Sequence, residues 1–194
     1  MPIIDLDVIH SNLDLVKTHM ASTSDLTVSR IEFRTFDEIL CDANYFYCSK
    51  VDVLDSFEAF IKLYNHQMHF NEGWGFDDES IEDRAYILKH HILLELDCVN
   101  FNEITGDTVL SETSRITSPI LNLLDNMDAS KQKRCPDRWG IYLNNELKTN
   151  NAEFVLPFSQ KIVRAVALNL EWNEVEIFYE TDNEFIYYWW GTGI

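Results

Sequence analysis

Trp172-Asn173-Glu174-Val175-Glu176-Ile177-Phe178-Tyr179-Glu180, then Thr181-Asp182-Asn183-Glu184, then Phe185-Ile186-Tyr187-Tyr188-Trp189-Trp190-Gly191: two β-branched and aromatic runs flank four polar turn formers. That arrangement predicts an antiparallel hairpin turning at Thr181–Glu184. In the first run Val175, Ile177 and Tyr179 alternate imperfectly with Glu174, Glu176 and Glu180, because Phe178 is apolar too. The second run is apolar on both faces, which places it inside a sheet rather than at an edge. Everything upstream must supply partners for it.

Ile9, Leu13, Val16 and Met20 recur at helical spacing and predict one amphipathic helix over residues 5–20. Val28, Ile31 and Phe33 predict a strand within 26–34. Thr35 and Glu38 have the spacing of a capping box opening a short helix to Ala43, and Tyr45–Cys48 reads as a second strand. Asp52 or Asp55 caps a helix with Phe57, Phe60, Ile61, Tyr64 and Met68 on its apolar face. After a glycine-flanked Trp74, Ser80 and Asp83 imitate another capping box. The helix they open carries Ile81, Ala85, Leu88 and Ile92, widened by Leu93, Leu94 and Leu96, and should be the most buried.

Residues 100–118, rich in Thr, Ser and Asn, read as a long connection with a short strand at Thr108–Leu110. Ser118-Pro119 then starts a helix ending near Met127. Past a basic island at Lys131–Arg138, Trp139–Leu143 reads as a strand, Asn144-Asn145 as a turn and Phe154–Leu156 as a further strand. Ser159–Leu170, with Ile162, Val163, Val166 and Leu170 apolar, reads as a helix leading into the hairpin. These elements predict a single α+β domain over residues 1–194, its antiparallel sheet including the C-terminal hairpin and packed against several helices. The weakest seams fall at 100–118 and 128–138.

With 46% hydrophobic and 13% aromatic residues the chain can fill an interior, so a disordered acidic protein is excluded. Thirty-three acidic residues against fifteen basic ones leave a net charge of −18, which favours cationic partners and argues against nucleic acid as a ligand. The first residues have neither the basic nor the apolar region of a signal peptide, and no apolar run is long enough for a membrane span. Cys41, Cys48, Cys98 and Cys135 are scattered, as reduced thiols of a cytoplasmic protein would be.

No motif names a reaction. His66, His69 and Glu72 share helical spacing, but Gly73 ends the helix there and the His-Glu-x-x-His order is absent, so no metal is expected. His91 has Glu95 four residues on, which suggests a hydrogen bond within the helix. Cys135 beside Lys133 and Arg134 has the surroundings of a lowered-pKa thiol, though an ordinary exposed loop cysteine is the commoner case. No cofactor is implied.

Acidic surface stands out instead. Glu174, Glu176, Glu180, Asp182 and Glu184 lie in a stretch with no Lys or Arg after Arg164, and a second group contains Asp77 and Asp78. Helix-start acids gain from the dipole, which accounts for the second group; strand acids do not, so the hairpin is the better partner surface.

The tail Tyr187-Tyr188-Trp189-Trp190-Gly191-Thr192-Gly193, on a small acidic chain, resembles the immunity proteins of bacterial toxin systems. The resemblance implies a non-enzymatic protein that binds and neutralises a basic toxin or nuclease domain. Two other readings are a phage- or plasmid-encoded anti-defence protein that mimics DNA charge, and a small hydrolytic or metal-dependent enzyme using His66, His69 or His91.

Overall fold

The structure is a computed structural model that describes residues 2–35, 42–70, 80–98, 102–127, 139–151 and 153–192, without the side chains of Phe70 and of 93–98. The hairpin forms as expected, from β7 (Glu174–Thr181) and β8 (Glu184–Gly191), in register from Glu174 opposite Gly191 to Glu180 opposite Phe185. Thr181 Oγ1 fixes the turn by accepting from the backbone N–H groups of Asn183 at 3.3 Å and Glu184 at 3.0 Å.

Six further strands complete the sheet among the described residues: β1 (Ser29–Arg34), β2 (Ala43–Ser49), β3 (Asn102–Ile104), β4 (Gly140–Leu143), β5 (Glu146–Thr149) and β6 (Ile162–Leu170). Their order is β3-β6-β7-β8-β2-β1-β4-β5, and every neighbouring pair is antiparallel. β8 is therefore interior, as its two apolar faces require.

Helices α1 (Leu6–Ser11), α2 (Leu13–Ala21), α3 (Ser56–Phe70) and α4 (Ile81–Cys98) supply the core on one face of the sheet, and α5 (Gly106–Asp125) on the other. β8 serves both cores: Phe185, Tyr187 and Trp189 point to the four-helix side, while Ile186, Tyr188 and Trp190 point to α5. Trp190 is buried and Trp189 partly so. The protein is α+β.

Several boundaries differ from the sequence reading. The helix over 5–20 is two, because Asn12 closes α1 with its N–H on Val8 O at 2.8 Å and caps α2 by accepting from Leu15 N at 3.2 Å. Ser159–Leu170 is no helix: β6 occupies 162–170 and is buried on both faces from Ala165 to Asn169, so strand alternation is hidden and chance spacing looks helical. Residues 106–118 are no connection, and Thr108–Leu110 no strand. They belong to α5, capped by Thr105 rather than Ser118, with Pro119 inside.

The polar residues of α5 misled because Thr113 and Thr117 sit in its buried stripe. Their hydroxyls donate to Val109 O and Thr113 O, each at 2.8 Å. The Asn144-Asn145 turn is present with φ of 51° and 68°, but it joins β4 to the unexpected β5, and Phe154–Leu156 forms no strand. Asp55 caps α3, its Oδ1 accepting from Glu58 N at 2.9 Å. Ser80 opens α4, accepting from Asp83 N at 3.1 Å. Ala43 opens β2 instead of closing a helix; the rest of that helix from Thr35 lies outside the described residues, as do the 131–138 island and the side chains of Leu93, Leu94 and Leu96.

Phe60 joins α3 to the hairpin: it is fully buried, 5.4 Å from Phe178 and 6.3 Å from Tyr187 between ring centroids. Phe60→Ala is expected to lower the unfolding free energy by about 3–5 kcal/mol in urea titrations, with an unchanged slope.

Candidate functional site

The hairpin's carboxylates divide by position. Glu176 is 4% exposed, and its Oε2 accepts from Tyr187 OH and from His91 Nε2, each at 3.0 Å. His91 thus ties α4 to the sheet, where the sequence suggested a bond to Glu95, whose side chain lies outside the described residues. Glu180 is also buried, holding Lys50 Nζ at 2.6 Å and Arg164 Nε at 2.7 Å. Burial alone would raise the Glu180 pKa; the bonds from Lys50 and Arg164 outweigh it and hold the pKa below the usual glutamate value. Glu174, half-buried, accepts from Asn169 Nδ2 at 3.1 Å.

Glu176 and Glu180 are consequently not rim charges. A strand buried on both faces brings its acids inside, where each needs an internal donor. The absence of Lys and Arg after Arg164 concealed this, since Lys50 and His91 come from distant parts of the chain.

Outward charge gathers at the end of the sheet where the hairpin turns. Asp182 is exposed, with Lys161 Nζ at 3.1 Å, and half-buried Glu184 pairs in register with Ser49 at the end of β2. The next residue, Lys50, donates its N–H to Asn183 O at 2.9 Å, so the segment Lys50-Val51-Asp52-Val53-Leu54-Asp55 is pinned against the turn. Within it Val51 is 90% exposed and Leu54 88%, flanked by exposed Asp52 and Asp55. Leu54 N donates to Glu58 Oε2 at 2.7 Å, fixing the far end of the segment as well. Two aliphatic side chains held in water on an anchored backbone, rimmed by acids, make a surface suited to a protein partner.

The sequence reading counted the acids and missed Val51 and Leu54. The available signal was Val-Asp-Val-Leu-Asp between a strand and a helix cap, an apolar pattern fitting neither period. Asp77 and Asp78 lie outside the described residues, with Glu72, Trp74, Cys41 and Cys135.

His66 and His69 lie on the last turns of α3 and line two adjoining cavities. Among the described residues no three His, Cys, Asp or Glu side chains come together as a metal site would need. Cys48 is a free, buried thiol whose pKa burial pushes up to about 12, which leaves it unreactive. No helix among the described residues is long and apolar enough to cross a membrane. Comparison of the chain with protein-family models, with curated proteins and with solved structures finds no match.

The depressed Glu180 pKa has a consequence for acid stability. A carboxyl whose folded pKa lies below its unfolded value of about 4.3 stabilises the fold above that pH and loses the contribution as pH falls through the folded value. Glu180→Gln should therefore destabilise the protein at neutral pH. It should also flatten the decline in urea midpoint on acidification below about pH 4.3 relative to the parent chain.

Proposed function

We propose that this chain is a binding protein that neutralises a basic toxin or nuclease domain, as an immunity protein does, acting by occlusion rather than catalysis. The observation that carries the reading is the near-complete exposure of Val51 and Leu54 on a segment anchored to the hairpin turn. Soluble domains show isolated apolar residues, but a fixed pair rimmed by acids supports a docking face. The net charge of −18 supports a cationic partner, and the resemblance of the C-terminal tail to immunity proteins supports its being a toxin.

On this reading Asp52, Asp182 and Glu184 steer the encounter and engage the Lys and Arg with which a nuclease holds phosphates. Val51 and Leu54 give the area whose desolvation slows dissociation. The acids of the strands, Glu174, Glu176 and Glu180, organise the scaffold behind that face. Asp55 belongs to both, because its side chain caps α3.

Affinity capture on immobilised protein, identification of the bound chain and assay of that chain's activity test the reading. The expected partner is rich in Lys and Arg and loses its nucleolytic or toxic activity at a one-to-one ratio. The double variant Asp52→Lys, Asp182→Lys, which spares the cap, should slow association about 10-fold or more at low salt. Leu54→Ser should act mainly by hastening dissociation. A partner that stays fully active in the complex, or an association rate unmoved in a folded double variant, would refute it.

A further inference from the structure

β5 stands last in the strand order, so one edge of its backbone faces no other strand among the described residues. The two-residue Asn144-Asn145 turn makes Leu143 and Glu146 the pair that exchanges hydrogen bonds between β4 and β5. Hydrogen-bonded and non-bonded pairs alternate along antiparallel strands, so the next pair, Tyr142 and Leu147, makes none. The N–H and C=O of Leu147 therefore point away from β4, with no strand beyond them among the described residues. The Leu147 side chain is 52% exposed, and Glu146 and Lys148 on either side of it are exposed as well. A register shift at Lys148 ends the regular ladder one residue later.

An open edge is a template for another strand, and a lysine on it ordinarily repels one. Here the lysine has a counterpart. Glu146 and Lys148 stand one residue to either side of Leu147, and their side chains share a face, Nζ to Oε2 at 3.0 Å. Turning a second copy by a half rotation about Leu147 sets Leu147 opposite itself, in the pair that exchanges both backbone bonds. The same operation sets each Glu146 opposite Lys148 of the other copy, so both cross-strand contacts are attractive. A parallel approach in register would set like charges opposite each other instead. At the far edge of the sheet β3 has no such pattern, since pairing it with itself about Glu103 opposes two carboxylates. We propose that β5 is a self-association edge, pairing antiparallel about Leu147 with β5 of a second copy of this chain. The contact is small and each copy carries a charge of −18, so the dimer is weak and salt promotes it. β5 lies three strands from β2, about 14 Å across the sheet, so this edge is distinct from the docking face that follows β2.

Sedimentation equilibrium of the full chain in about 0.3 M salt, where the Debye length is under about 8 Å, tests the proposal. The parent chain is expected to show a monomer–dimer equilibrium with a Kd below about 1 mM. Glu146→Lys alone, or Lys148→Glu alone, makes both cross-strand contacts repulsive and should weaken the dimer about tenfold or more. Mixing the two single variants restores opposite charges and should give a heterodimer, although neither variant pairs with itself. The double swap of Glu146→Lys with Lys148→Glu should dimerise as the parent does. Leu147→Glu, which opposes two carboxylates at the centre of the contact, should abolish the dimer by a route independent of those ion pairs. Circular dichroism checks that each variant keeps the fold. The proposal fails if the parent chain stays monomeric at about 1 mM, or if the folded charge variants and Leu147→Glu associate as it does. It also fails if the mixture of single variants gains no heterodimer.

Discussion

The burial of β8 on both faces governs this molecule. A strand with Phe185 and Tyr187 packed under α3, and with Ile186, Tyr188 and Trp190 packed under α5, has no solvent face left. Its neighbours β7 and β2 run antiparallel to it on either side, and a carboxylate brought near it is costly to leave without a protein partner. The Tyr187 hydroxyl and the Glu176 carboxylate meet that demand together, with His91 reaching in from α4. Glu180 meets it through Lys50, the residue after β2, and Arg164 of β6.

The hairpin could be read from sequence because both of its strands and its turn are local: composition, length and turn chemistry agree within twenty residues. The same holds for Asp55 and Ser80 as helix starts and for the Asn144-Asn145 turn. Elements failed where burial on two sides erased periodicity, as in β6, or where buried threonines bonded their own helix, as at Thr113 and Thr117 in α5. A threonine counts as a turn former in a sequence window, but its hydroxyl is satisfied by the preceding turn and its methyl packs like that of valine.

The site was less legible, for a physical reason. A count of carboxylates records charge without recording whether it is paired, and pairing is a long-range property: Glu176 meets His91 and Glu180 meets Lys50 only after folding. The hairpin turn, singled out in the sequence for its acids, is also what anchors the segment bearing Val51 and Leu54. The surface at the end of the sheet is acidic and aliphatic, and the far end of α3 lines two adjoining cavities with His66 and His69.

The central claim is that the acids along the hairpin strands are internal parts of the scaffold while those at its turn face outward. Comparing the unfolding free energies of Glu176→Ala and Asp182→Ala at neutral pH and moderate salt tests it most directly. Loss of the Glu176 carboxylate leaves the buried Tyr187 hydroxyl without its acceptor and removes the link to His91, so this account predicts a destabilisation of about 2 kcal/mol or more. Asp182→Ala should stay within about 0.5 kcal/mol of the parent chain, as exposed ion pairs do. Equal effects for the two substitutions, or the larger effect at Asp182, would contradict the account.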